Sequence, residues 1–137
     1  MRAVRDGFEA TRFLLVCLGG ATGTALRYLV VLWAPVVLGA DFAWGTLIVN
    51  VVGSLLISIV MHLGLTTDMM TPTTRITLAT GVLGGFTTYS SFNYETLRFC
   101  QQGAWGRALL DVGVTLVACA AAGVAGFAIA RRIAGTG

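Results

Sequence analysis

The sequence predicts an all-α integral membrane protein with four transmembrane helices, the third broken near its centre. Composition carries the first step: of 137 residues, 56% are apolar before 18 glycines are counted, and only 11% are charged. Soluble domains hold about 45–50% apolar residues with glycine included and about 25% charged ones. Patterning carries the second. Four apolar stretches, roughly residues 13–33, 45–65, 75–99 and 104–130, each reach the ~20 residues a bilayer core demands, and together they make one membrane domain over 1–137. The third step is a run no uninterrupted membrane helix favours: Gly81-Val82-Leu83-Gly84-Gly85-Phe86-Thr87-Thr88-Tyr89-Ser90-Ser91-Phe92. Its glycines relax the backbone, and its Thr and Ser side chains offer competing local hydrogen bonds.

The first span follows Arg2, Arg5 and Arg12, as a secretion signal would, but its apolar pattern continues past Gly19-Gly20 to Trp33 and no cleavage site precedes Cys17. Gly19-x-x-x-Gly23 and Ala21-x-x-x-Ala25 give this span a small-residue face for close packing. Arg27 either snorkels to the interface or faces a water-filled vestibule; both readings keep it at the water edge. Pro35 to Asp41 reads as a loop.

In the second span Thr46, Asn50, Ser54, Ser58 and His62 recur every four residues, a row that drifts around the helix, so that only neighbours such as Thr46, Asn50 and Gly53 share a face. The Asn50 amide needs partners for its donors and its acceptor, from another helix or from a pore. Thr66 to Thr74, with Pro72, reads as the next loop.

The third span enters from Arg75, breaks near Gly84 and restarts near Ser90. Such a break exposes carbonyls of one half and amides of the other, and in lipid it must be covered by protein or line a cavity. A kinked helix whose glycines serve packing is the simpler alternative. Glu95 lies toward the end of this span, as a functional carboxylate or as an i+3 partner of Arg98.

The fourth span carries Asp111, Thr115 and Cys119 at four-residue steps, beside a packing seam of Ala118, Ala122, Gly126 and Ala130. Thr115 either lines a polar track or bonds back to its own helix, and Asp111 either joins that track or reaches the interface. Arg131-Arg132 closes the span as an interfacial anchor.

The +3 net charge in so apolar a chain is no nucleic-acid footprint, and all nine basic residues are Arg, which with the Ala and Gly richness reads as coding bias. Three cysteines on separate segments and a single His offer no metal-ligand spacing. No nucleophile, base or metal set suggests an enzyme.

Gly45-Thr46-Leu47-Ile48-Val49-Asn50 in the second span, Gly84-Gly85-Phe86-Thr87-Thr88-Tyr89-Ser90-Ser91-Phe92 followed by Glu95 in the third, and Gly20-x-x-Gly23 through Arg27 in the first together resemble the Fluc (CrcB) fluoride channels. The resemblance covers the chain from the first span to the fourth. It implies a fluoride-selective channel for passive efflux across the cytoplasmic membrane, which protects the cell from fluoride toxicity. It further implies an antiparallel homodimer, inserted in both orientations, with fluoride, the lipid bilayer and its own second copy as partners. A structural Na+ at the dimer centre would be held by the Gly84 and Thr87 carbonyls, with no organic cofactor. By position, Asn50, Phe92, Tyr89, Ser90, Ser91, Thr46, Glu95 and Thr115 would line the anion route and Arg27 its vestibule. The family usually has Phe where Tyr89 stands, and tends to Tyr and Ser where Asp111 and Cys119 stand.

Two rivals remain. A small proton-coupled multidrug exporter also uses four spans but needs a central titrating carboxylate, which Glu95 near a span end does not supply. An accessory packing subunit would explain the small-residue seams but not the hydroxyl run.

Overall fold

The computed structural model describes residues 2–135; the side chains of residues 2–6 and of Phe8, Arg2 and Arg5 among them, lie outside that description. Every regular element in it is helical. Helix α1 spans Arg2–Leu38 and α2 spans Trp44–Thr66. A short α3 (Pro72–Ile76) runs directly into a π-helical turn over Thr77–Leu83 and then α4 (Gly84–Phe86). After Thr87 and Thr88 come α5 (Tyr89–Gln101) and, beyond a turn, α6 (Trp105–Ile133). Among the described residues three stretches are long and apolar enough to cross a membrane, Glu9–Leu38, Trp44–Thr66 and Trp105–Ile133, and the expected span over 75–99 is not one of them.

Two expected loops are shorter than the proline positions suggested. Pro35 lies inside α1, which continues to Leu38. Its fixed φ suits a helix, and so near the end it disturbs only one turn. The stop falls instead at Gly39, whose φ of +89° only glycine adopts freely. Pro72 begins α3 rather than belonging to the loop: it occupies the first turn, and Thr71 caps the helix by accepting from the Thr74 amide at 3.1 Å.

Small residues decide how the helices meet. A Cβ on Gly23 would collide with the Val82 carbonyl, and one on Gly81 would come within 2.9 Å of the Val16 carbonyl, so α1 packs backbone against the π-turn and α4. Gly85 meets the Gly20 backbone in the same way. All three glycines of the hydroxyl-rich run therefore lie within helix; Gly81 and Gly85 serve close packing on α1, whereas Gly84 is exposed. On the other side α6 lies along α2, with Gly126 against the Leu55 carbonyl and Gly123 near Ser58. Asp111, Thr115, Gly126 and Ala130 are all buried on this one face of α6, so the polar row and the small-residue row of the sequence merge. Large apolar side chains of α1 and α6, among them Leu29, Val36, Leu109, Val117 and Val124, point outward, as a lipid solvent requires.

Candidate functional site

The helix lapses at Thr87 (ψ 158°) and Thr88 (φ −152°, ψ 118°), two or three residues beyond the glycines expected to break it. The physical reason lies in two capping interactions. Thr88 Oγ1 accepts from the Ser91 amide at 3.1 Å and so starts α5. Across on α2, Asn50 grips the extended residue at two points: its Nδ2 donates to the Thr88 carbonyl at 2.9 Å, and its Oδ1 accepts from the Thr88 amide at 2.8 Å. A hydroxyl and a distant amide thus replace the helix's own ladder. Gly53 leaves room for the Thr87 methyl, which would meet any Cβ there.

These diversions free two backbone oxygens. In an unbroken helix the Thr88 amide would reach the Gly84 carbonyl and the Ser91 amide the Thr87 carbonyl. Here the first goes to Asn50 and the second to the Thr88 side chain. The Gly84 and Thr87 carbonyls, the expected cation ligands, thereby lose their helical donors. Their chemistry suits a hard cation, which takes oxygen ligands. Among the described residues no cluster of His, Cys, Asp or Glu could hold a metal by side chains.

Beside the break opens a cavity of about 330 Å³. Asn50, Thr87, Thr88, Tyr89, Phe92, Thr115 and Cys119 line it, along with Gly53, Ser54, Ile57 and Leu116. Phe92 is buried and Tyr89 exposed, their rings 5.9 Å apart and tilted by 56°, which turns edges as well as faces toward their surroundings. Asn50 has four hydrogen-bonding sites, and Thr88 uses one donor and one acceptor. A second Nδ2 hydrogen is left over. The Thr115 hydroxyl is buried without a partner, so it does not bond back to its own helix.

The other expected residues lie around this cavity rather than in its wall. Ser90 and Ser91 carry hydroxyls 3.3 and 3.1 Å from Thr88 Oγ1, with Ser90 exposed on α5. Thr46, in the first turn of α2, adjoins the Glu95 carboxyl. The Thr46 hydroxyl and Glu95 Oε2 are both buried yet meet no hydrogen-bond geometry. Thus three of the orphaned buried oxygens, on Thr46, Glu95 and Thr115, sit on expected route residues. Glu95 makes no ion pair with Arg98, whose guanidinium lies 5.9 Å from the Phe99 ring centre. Asp111 does not reach the interface: it is 1% exposed and bonded to Thr96. Arg27 is half-buried on α1, apart from the cavity wall. Sequence reasoning undervalued Thr88, although a Thr three residues before Ser91 is an N-cap signal.

The model of the family described as CrcB-like protein, Camphor Resistance (CrcB), matches residues 14–127. Proteins named fluoride-specific ion channel FluC are similar along most of their length. The one from Sorangium cellulosum is 47% identical over 122 residues, 89% of this chain and 96% of its own. The one from Anaeromyxobacter dehalogenans is 48% identical over 124 residues, 90% of this chain and 98% of its own. One from Thermus thermophilus is 52% identical over 99 residues, 72% of this chain and 77% of its own. With a match across all but the ends and identities near one half, this chain belongs to the CrcB family.

Proposed function

We propose that the chain is a fluoride-selective ion channel, giving passive fluoride efflux across the cytoplasmic membrane and so protecting the cell from fluoride. The observation that carries this reading is the cavity beside the helix break, where Asn50 is clamped with one amide hydrogen to spare next to the buried Phe92 ring. Fluoride is small and strongly hydrated, so an apolar pore would leave its lost water uncompensated. Amide and hydroxyl donors and ring edges compensate it without the tight grip of a full positive charge. Asn50, Phe92, Tyr89 and Thr115 form this part of the route. Ser90, Ser91, Thr46 and Glu95 extend it, and Arg27 raises anion concentration at its mouth.

In this reading α3, the π-turn, α4 and α5 together make the third of four crossings in one membrane domain. Ser90 and Asn93 are exposed on α5 close to the break, and at membrane depth such groups need protein cover. A second copy inserted antiparallel supplies that cover, and brings two sets of Gly84 and Thr87 carbonyls from opposite directions toward one Na+. The ion's part is structural: it would neutralise carbonyl dipoles that otherwise face each other unpaired.

A proton-coupled exporter has less support. Glu95 lies at the middle of α5 beside the first turn of α2, near one end of the bundle. A titrating carrier carboxylate belongs near the midplane. Expression in bacteria deprived of their own fluoride exporter tests the function in the cell. Restored growth on fluoride is expected, with no gain in resistance to quaternary ammonium compounds. Resistance to those compounds without fluoride tolerance would favour the exporter.

A further inference from the structure

Thr96 sits on the side of α5 that meets α6, and its hydroxyl has two close oxygen neighbours. One is the Phe92 carbonyl at 2.9 Å and the other is Asp111 Oδ2 at 2.8 Å. A hydroxyl carries a single hydrogen, whereas a carbonyl and an ionised carboxylate can only accept. With Asp111 charged, the one Thr96 hydrogen would have to be shared between two acceptors, leaving each short contact only partly bonded. With a proton on Asp111 Oδ2 both are filled: the acid O–H donates to Thr96 Oγ1, and the Thr96 hydrogen donates to the Phe92 carbonyl.

The surroundings agree. Asp111 is 1% exposed, and a buried carboxylate without a paired cation is costly. From α2 no Asp, Glu, Lys or Arg faces it, since that helix contains none. From α5 come Glu95, a second carboxyl group, and Arg98, which acts on Glu95. On α6 itself Arg107, one turn earlier, is exposed and makes no ion pair with Asp111.

We propose that Asp111 is held as the neutral acid and acts as a positioning residue for Phe92 through Thr96, so that its ionisation in alkali slows fluoride passage. Hydroxide removes the Oδ2 proton as water and leaves a carboxylate that can only accept. The Thr96 hydrogen is then divided between Asp111 and the Phe92 carbonyl, and a negative charge stands beside Glu95 on the anion route. The effect on flux rests on the channel reading above; the protonated state does not.

Infrared spectroscopy of the full-length protein in lipid, with fluoride release measured from the same liposomes across pH, tests it. A carboxylic acid C=O band that shifts in D₂O is expected at neutral pH, with a component lost in Asp111→Asn and retained in Glu95→Gln. The Asn variant keeps an N–H donor toward Thr96. Wild-type release should fall about tenfold or more as the band disappears in alkali, while Asp111→Asn stays flat over the same range. A band missing from the wild type, or unchanged in Asp111→Asn, overturns the assignment. A wild-type alkaline fall shared by Asp111→Asn overturns the role in flux. The expected band with no fluoride release at any pH supports the neutral acid and counts against the channel reading alone.

Discussion

Asn50 shows how one side chain can hold a helix open. Its two bonds to the Thr88 backbone replace contacts a continuous helix would have made for itself. Asn50→Ala therefore orphans both a Thr88 N–H and a Thr88 C=O, each costing about 1–3 kcal/mol when buried. A lower unfolding temperature in detergent, together with lost fluoride release, is the expected result. Full stability would show that the clamp is idle. Phe92→Ile separates geometry from electrostatics, because it keeps apolar bulk in a buried position but removes the ring edge. Fluoride release should be abolished while the purified oligomer keeps its size. A conducting Ile variant would place the route elsewhere. The residue types of this site were legible in the sequence, since amides and hydroxyls are expensive in lipid wherever they stand. The two-point grip was not, because Asn50 and Thr88 are 38 positions apart and no local pattern joins them.

At the scale of elements, the third segment was half legible. A break near Gly84 and a restart near Ser90 were expected; Gly84 and Gly85 are helical, and the lapse falls between those bounds, at Thr87 and Thr88. Glycine's freedom permits a break but also permits helix contact, and at Gly85 the neighbouring α1 decides for contact. The π-turn over Thr77–Leu83 had no sequence signal; its extra residue per turn accompanies the tight packing of Gly81 on α1. Gly23→Ala tests that packing. The added methyl meets the Val82 carbonyl, which cannot turn aside as a side chain can, and overpacking of this kind costs about 1–3 kcal/mol. Thermal unfolding in detergent should drop for Gly23→Ala and not for Gly106→Ala, whose added methyl would meet nothing within 4 Å. Equal behaviour of the two would show that the α1 seam contributes nothing.

At the scale of the molecule, hydropathy predicted an all-helical membrane protein and three of the four expected spans, because apolar length and bilayer thickness are the same quantity in different units. Span ends moved by a few residues where Pro35 and Pro72 proved compatible with helix. Assembly is another matter: charge placement constrains it without deciding it. Arg12, Arg75, Arg131 and Arg132 would share one side, with Arg98 and Arg107 opposite, which favours one orientation. The proposed antiparallel dimer needs both. Reporters fused to the C-terminus, one active only inside the cell and one only outside, should each give signal; inside signal alone would remove the proposed Na+ site. The central claim is that fluoride itself passes, and purified protein in liposomes loaded with fluoride and chloride tests it most directly. Release of fluoride down its gradient, without proton coupling and with chloride retained, is the expected result, whereas equal release of both ions, or of neither, would contradict it.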